Sequence, residues 1–221
     1  MKKLLILLYV FAFSAFLQAQ NADEIVQKVI TKLDMVNDYS VDAVINTDTD
    51  FLKAPKTTAK IYYKKPNKFK VESKSFAVLP KGGVNFLHDA LSSGELNFKY
   101  VGRESKNGEE LTKISAIPKS DSIQIKDAFI WIDESKSVVK HVEASFEDAG
   151  QFIINFAYGS ELKYGLPDKI ELSFNMKNFK RRNDRDESAV SGNIKGKITV
   201  NYSSYNLNKG LSDELFKDEK K

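Results

Sequence analysis

The 221-residue sequence contains no cysteine. Disulfide staples, thiolate metal sites and a cysteine nucleophile are therefore excluded, and so is a lipid anchor on an N-terminal Cys. Histidine is almost as scarce. His88 and His141 are the whole supply, neither lies in an HExxH motif, and they read as a helix-surface residue and a strand residue rather than metal ligands. No GxSxG surrounds any serine, and Lys81-Gly82-Gly83 lacks the rest of a phosphate loop. The paired carboxylates Glu109-Glu110, and the group Asp184, Asp186 and Glu187, fall in expected turns, where solvated charge is the ordinary outcome. No catalytic residue, metal or cofactor is therefore expected, and the chain does not read as an enzyme. The single tryptophan, Trp131 in AFIWIDES, reads as a core residue.

Charge imbalance is also small. The formal net charge of +4 falls to +2 without Lys2 and Lys3, too little to suggest a nucleic-acid partner. The one long apolar run is Leu4 to Leu17, in MKKLLILLYVFAFSAFLQAQ. It follows two lysines, precedes small and polar residues, and is shorter than the about 20 residues a membrane span needs. This predicts a secretory signal peptide over residues 1–19, cleaved at Ala19 or Gln20. What remains, residues 20–221, has the length of one domain with a full core, exported and free of a membrane anchor.

The mature chain opens on NADEIVQKVITKLDMVNDYS, in which Ile25, Val26, Val29, Ile30, Leu33 and Val36 recur at helical spacing. Asn21 and Glu24 have the spacing of a capping box. Strands follow: 39–46, 57–64, 68–76, 95–105, 110–118, 123–133, 138–147, 151–158, 169–178 and 193–202. Asn107-Gly108 is the strongest hairpin signal among their connections. One inserted helix is expected at Val84 to Leu91 and a short turn at Ser212 to Phe216. The charged segment KRRNDRDESAVSGN, 180–193, reads as a mobile hairpin tip. Lys180-Arg181-Arg182 within it is balanced by the acids that follow. About ten strands and two helices exceed what a two-layer sandwich can hold. The expected fold is mainly β with α: a strongly curved antiparallel sheet, an unclosed half-barrel whose concave face is covered by the two helices.

The stretch IYYKKPNKFKVES, 61–73, alternates aromatic and cationic residues around Pro66-Asn67. One reading of the corner is a two-residue loop over Pro66-Asn67. A three-residue loop reaching Lys68 pairs Tyr63 with Val71 and Lys65 with Phe69, and Pro at its first position fits a type I turn. The longer loop is preferred. It puts Ile61, Tyr63, Phe69 and Val71 on one face, with Lys60, Lys64, Lys70 and Glu72 on the other. Lys65 then points inward at the rim, where it either snorkels to solvent or ties the sheet to carbonyls of the helical lid.

The segments KLDMVNDYS and AKIYYKKPNKFKVES resemble the periplasmic lipoprotein carrier LolA and its relatives LolB, RseB and the outer-membrane lipoprotein-sorting proteins. The family's Leu-Asp-x-Val helix end is matched by Leu33, Asp34 and Val36. Its Arg-Pro-Asn-x-Phe corner is matched by Lys65, Pro66, Asn67 and Phe69. AIPKSDSIQIKDAFIWIDESKSVVKHVEAS and YNLNKGLSDELFK are similar to its central and closing strands. The resemblance implies a cavity for acyl chains, lined by Leu33, Val36, Tyr39, Phe69 and Val71 beside Ile61 and Tyr63. Lys65 stands where the family has an arginine that latches barrel to lid, and Val71 where it usually has tryptophan. A lysine there makes a point contact instead of a planar fork. The function implied is a monomeric periplasmic chaperone that binds the acyl chains of a lipoprotein, or a lipid, and moves them towards the outer membrane. Its partners would be an inner-membrane release complex and an outer-membrane acceptor. The alternative is an RseB-like sensor or scaffold that binds a partner protein with the same concave face.

Overall fold

The computed structural model describes residues 22–50, 53–73, 83–120, 125–146, 150–180 and 191–217. The expected signal peptide, the Asn21 cap and most of the charged segment 180–193 lie outside them. Helix α1, residues 22–34, buries Ala22, Ile25, Val26, Val29, Ile30 and Leu33, while Asp23, Glu24, Gln27, Lys28 and Thr31 face solvent. Its apolar stripe has helical period, so one face alone seeks cover. Glu24 pairs with Lys28 one turn on, at 2.8 Å.

Ten strands form one antiparallel sheet: β1 (Asp38–Thr49), β2 (Lys53–Lys64), β3 (Lys68–Ser73), β4 (Leu96–Lys106), β5 (Glu109–Pro118), β6 (Ile125–Asp133), β7 (Val138–Phe146), β8 (Gly150–Ala157), β9 (Lys169–Lys180) and β10 (Ser191–Leu207). The order across the sheet is β3-β2-β1-β10-β9-β8-β7-β6-β5-β4. From β4 to β10 it is a meander of consecutive hairpins. Asn107 and Gly108 turn the β4–β5 hairpin with both φ angles positive, 54° and 80°, as a type I′ turn requires. The long-range step is β10 against β1, which adds the first three strands to the end of the meander.

That order leaves β3 and β4 as the two edges, so the sheet does not close into a barrel. Between them the chain passes through helix α2 (Phe86–Ser92), which buries Leu87 and Leu91. One hydrophobic core joins the α1 stripe, Val84, Leu87 and Leu91 to inward residues of the sheet, among them Val41, Ile61, Ile114, Ile130, Ile132, Ile170 and Val200. Each such fully buried aliphatic side chain contributes about 1.5–3 kcal/mol. No helix among the described residues is long and apolar enough to cross a membrane.

The β2–β3 corner corrects one expectation in detail. The ladder pairs Lys64 with Lys68, Tyr63 with Phe69 and Ile61 with Val71, so the three-residue loop is 65–67 instead of 66–68. Lys65 lies just beyond the β2–β3 ladder, and its backbone N–H donates to Asn37 O at 2.8 Å, next to the Asp38–Lys64 pair of β1 and β2. A slip that changes the pairing by two residues preserves the faces, and Ile61, Tyr63, Phe69 and Val71 share the inner one.

Candidate functional site

The concave face beneath α1 and α2 is the candidate site. Leu33, Val36, Tyr39, Ile61 and Tyr63 are buried in its core, and Phe69 and Val71 pack against that core at the β3 edge. Strand pairing explains their contiguity: Phe69 lies opposite Tyr63, Tyr63 opposite Tyr39, and Tyr39 opposite Leu207. A second row runs Val71, Ile61, Val41. Tyr39 and Tyr63 stack with centroids 5.4 Å apart.

Two aromatic residues near this row had no part in the sequence reading. Tyr202 and Tyr205 are an odd number of positions apart, so a regular strand would send them to opposite faces. A register shift opposite Ser40 and Asp42, with Ser204 at φ 57°, inserts a bulge that turns both inward. Tyr205 meets Tyr39 edge-on at 6.0 Å and Tyr202 at 6.2 Å. From the far side of the sheet Phe156 reaches Phe86 of α2 in a stack at 6.2 Å. Only a bulge or a non-consecutive pairing could have signalled these, and neither leaves a mark in residue periodicity.

The helices are fastened by polar contacts at the rim. Lys65 Nζ donates to the Asp34 backbone carbonyl at 2.7 Å and to its carboxylate at 3.1 Å. His88 of α2 reaches the same carboxylate oxygen with Nε2 at 3.0 Å, and its Nδ1 is 3.3 Å from Asp89. Asp34 thus joins the β2–β3 corner, the end of α1 and α2. Burial opposes its charge, but the hydrogen bonds from Lys65 and His88 outweigh burial and hold the carboxyl below its ordinary value. On the other side, Lys32 of α1 donates to the carbonyl of Lys136 in the β6–β7 turn. The last turn of α1 is therefore tied on one side to the β2–β3 corner and on the other to the β6–β7 turn.

The tyrosine hydroxyls inside differ in how they are satisfied. Tyr63 meets the Asn85 side chain, and burial pushes its pKa up to about 12. Tyr158 donates to Val139 O at 2.6 Å and Tyr205 to Pro167 O at 2.8 Å. Tyr39, fully buried, and Tyr202 have no hydrogen-bond partner for their hydroxyls. Burial pushes the pKa of both well up, and Tyr39 also feels the Tyr202 phenol beside it. All remain protonated donors at neutral pH.

The two histidines sit as described: His88 at the rim, and His141 on the opposite face of the sheet, bonded to Asn155 and Glu143. Among the described residues no cluster of His, Asp and Glu could hold a metal ion. The described residues of the site offer apolar surface, a helical cover fastened by polar contacts and a few phenol donors.

No protein-family model and no curated protein matches the sequence. Solved structures do match. A domain described as an outer membrane lipoprotein-sorting protein from Vibrio parahaemolyticus superposes with TM-score 0.61 at 13% identity, covering 90% of this chain and 97% of its own. A DUF1329 family protein from Desulfovibrio piger gives 0.63 at 11%, with 90% and 97% covered. A LolA superfamily protein from Nitrosomonas europaea gives 0.53 at 14%, with 87% and 97% covered. The fold is LolA-like. At such identities the likeness extends to the architecture of the open sheet and its helical cover, while side chains have diverged.

Proposed function

We propose that this LolA-like chain is an exported carrier that shelters acyl chains of a lipoprotein or lipid against its concave face, between the inner and outer membranes. The observation that carries the reading is the continuous apolar face from Val71 and Phe69 through Tyr63 and Tyr39, covered by helices that reach the rim through Lys65, Asp34 and His88. Sheet edges β3 and β4 are unpaired, so the sheet can open or close around a guest without breaking a closed ladder. The likeness to a lipoprotein-sorting domain supports the same cargo class.

Binding needs no covalent step. A guest chain displaces the α1 and α2 side chains from the concave face, and each methylene it buries contributes about 0.8 kcal/mol. Lys65 acts as the latch. Its contact with Asp34 is partly solvated, and such exposed pairs contribute only about 0.2–1 kcal/mol, small enough for a lipid to break.

Native mass spectrometry of the protein purified from its cell envelope without detergent tests the proposal, beside a Phe69→Glu variant that sets a charge on the apolar face. The expected result is extra mass matching acylated species in the native protein, absent in a variant whose circular dichroism is unchanged. A bare native protein that also refuses a fluorescent fatty acid would rule the carrier reading out.

A further inference from the structure

A core assembled for stability alone pairs its buried polar atoms, since an unpaired buried hydroxyl costs about 1–3 kcal/mol. Among the described residues two side chains break that rule, and both lie in the proposed lipid face: Tyr39 and Tyr202. They are neighbours. The Tyr205 ring touches both, at 6.0 and 6.2 Å, and the Tyr39 and Tyr202 phenols lie close enough to influence each other. The Val84 backbone N–H, just before α2, lies near the Tyr39 oxygen and can only donate to it, so the Tyr39 O–H has no acceptor. Phenylalanine would fill the same apolar space at both positions without the cost. Both phenols belong to the apolar core beneath α1 and α2, the face that a guest chain would have to enter.

We infer that Tyr39 and Tyr202 form a donor pair for the carbonyl oxygen of an acyl ester or amide, so that the concave face recognises the head of an acyl chain as well as its tail. The inference rests on the carrier reading and adds to it the chemical group that is held. A neutral carbonyl fits better than a free carboxylate. The charged groups that act on Tyr39 and its stacked neighbour Tyr63 are acidic, Asp89 of α2 on both and Asp34 on Tyr63, and the Lys65 cation is already engaged by Asp34. A carboxylate would meet like charge and would need its own cation, whereas a carbonyl oxygen needs only donors. The pair would also set how deep a chain lies, because a hydrocarbon tail by itself has no preferred register in an apolar groove.

The test uses the mature protein with 1-palmitoylglycerol carrying ¹³C at its ester carbonyl, followed by infrared spectroscopy and by titration, beside Tyr39→Phe, Tyr202→Phe and the double variant. In the native protein the bound carbonyl stretch is expected to move to lower wavenumber, as a hydrogen-bonded ester does. The double variant should lose that shift and bind about five- to tenfold more weakly, in keeping with one lost hydrogen bond. Palmitate should bind the native protein less tightly than the glycerol ester. The unliganded variants should melt at or above the native temperature, because no satisfied group has been removed. Equal binding with an unshifted carbonyl in native and variant proteins would overturn the donor pair and leave the carrier reading standing. Tighter binding of palmitate than of the ester would overturn the preference for a neutral carbonyl. A fall in melting temperature of the unliganded variants would show hydroxyls that are satisfied without a guest, and would overturn it too. No uptake of either lipid by the native protein would remove the carrier reading and this inference together.

Discussion

The two faces of the sheet bury aromatic side chains equally well, but among the described residues only the concave face leaves buried phenol hydroxyls unpaired. On the convex face Trp131 is 2% exposed, although it does not belong to the main core. Lysine stems cover it, with Lys106 Nζ 4.3 Å and Lys113 Nζ 5.0 Å from the ring centroid. Its indole N–H donates to Glu104 at 3.0 Å. The adjacent His141 is bonded to Asn155 at 2.6 Å and Glu143 at 2.8 Å, and Lys106 bonds Glu143 at 2.5 Å. This face is a closed network of cation, carboxylate and ring. The concave face holds Tyr39 at 0% exposed and Tyr202 at 5%, with both hydroxyls unpaired. At equal burial, Trp131 and His141 have hydrogen-bond partners and the Tyr39 and Tyr202 hydroxyls have none.

The comparison can be broken most severely at Trp131. Trp131→Ala removes the centre of the convex network and is expected to cost about 3–5 kcal/mol, the usual range for a buried aromatic. Urea unfolding followed by circular dichroism measures it, because Trp131 is the sole tryptophan. The folded fraction should still take up lipid. Loss of uptake at equal folding would show that the two faces are not independent.

A sharper contrast lies among the tyrosines. Tyr158→Phe and Tyr205→Phe each strip the donor from a buried carbonyl, Val139 O or Pro167 O, and should each cost about 1–2 kcal/mol. The same substitution at Tyr39 or Tyr202 should cost nothing measurable. Equal losses at all four positions would erase the distinction between satisfied and unsatisfied phenols.

Acid should weaken the convex face through Glu143. Burial opposes the charge of this carboxyl, and the hydrogen bonds from Lys106 and His141 overcome it, holding its pKa below the ordinary glutamate value. A folded value below the unfolded one gives stability that is complete above about pH 4.3 and is lost as pH falls through the lowered value. Glu143→Gln should flatten the acid limb of melting temperature against pH. An unchanged slope would mean that other carboxylates carry it.

The smallest effect is expected at the rim. Lys65→Ala removes a contact to a half-exposed carboxylate and should change stability by less than about 1 kcal/mol. Binding of an environment-sensitive apolar dye should nevertheless become faster, because α1 loses its tie to the β2–β3 corner. An unchanged rate would remove Lys65 from the latch.

Much of this was legible in local pattern. The α1 stripe from Ile25 to Leu33 and the Asn107-Gly108 hairpin follow from period and turn chemistry, as does the shared face of Ile61, Tyr63, Phe69 and Val71. The extents of strands were less legible: β10 runs to Leu207, past the expected end at Tyr202, because a bulge lets it continue beside β1. That bulge also concealed Tyr202 and Tyr205, and the loop at Pro66 spans 65–67, one residue earlier than its turn chemistry suggested. Asp34 was recognised as part of a helix end, but its role in gathering Lys65 and His88 required the position of α2.

The sequence by itself determined the kinds of elements, their order, the faces they present and the absence of cysteine chemistry, because each depends on residues within one or two turns of chain. Only the tertiary structure decided that β1 would pair with β10, that α2 would reach Asp34 and Phe156, and that Tyr39 and Tyr202 would both pack on Tyr205 with their hydroxyls unsatisfied. Such contacts join residues far apart in the chain, where the closure of a long loop must be repaid by packing that no local pattern records.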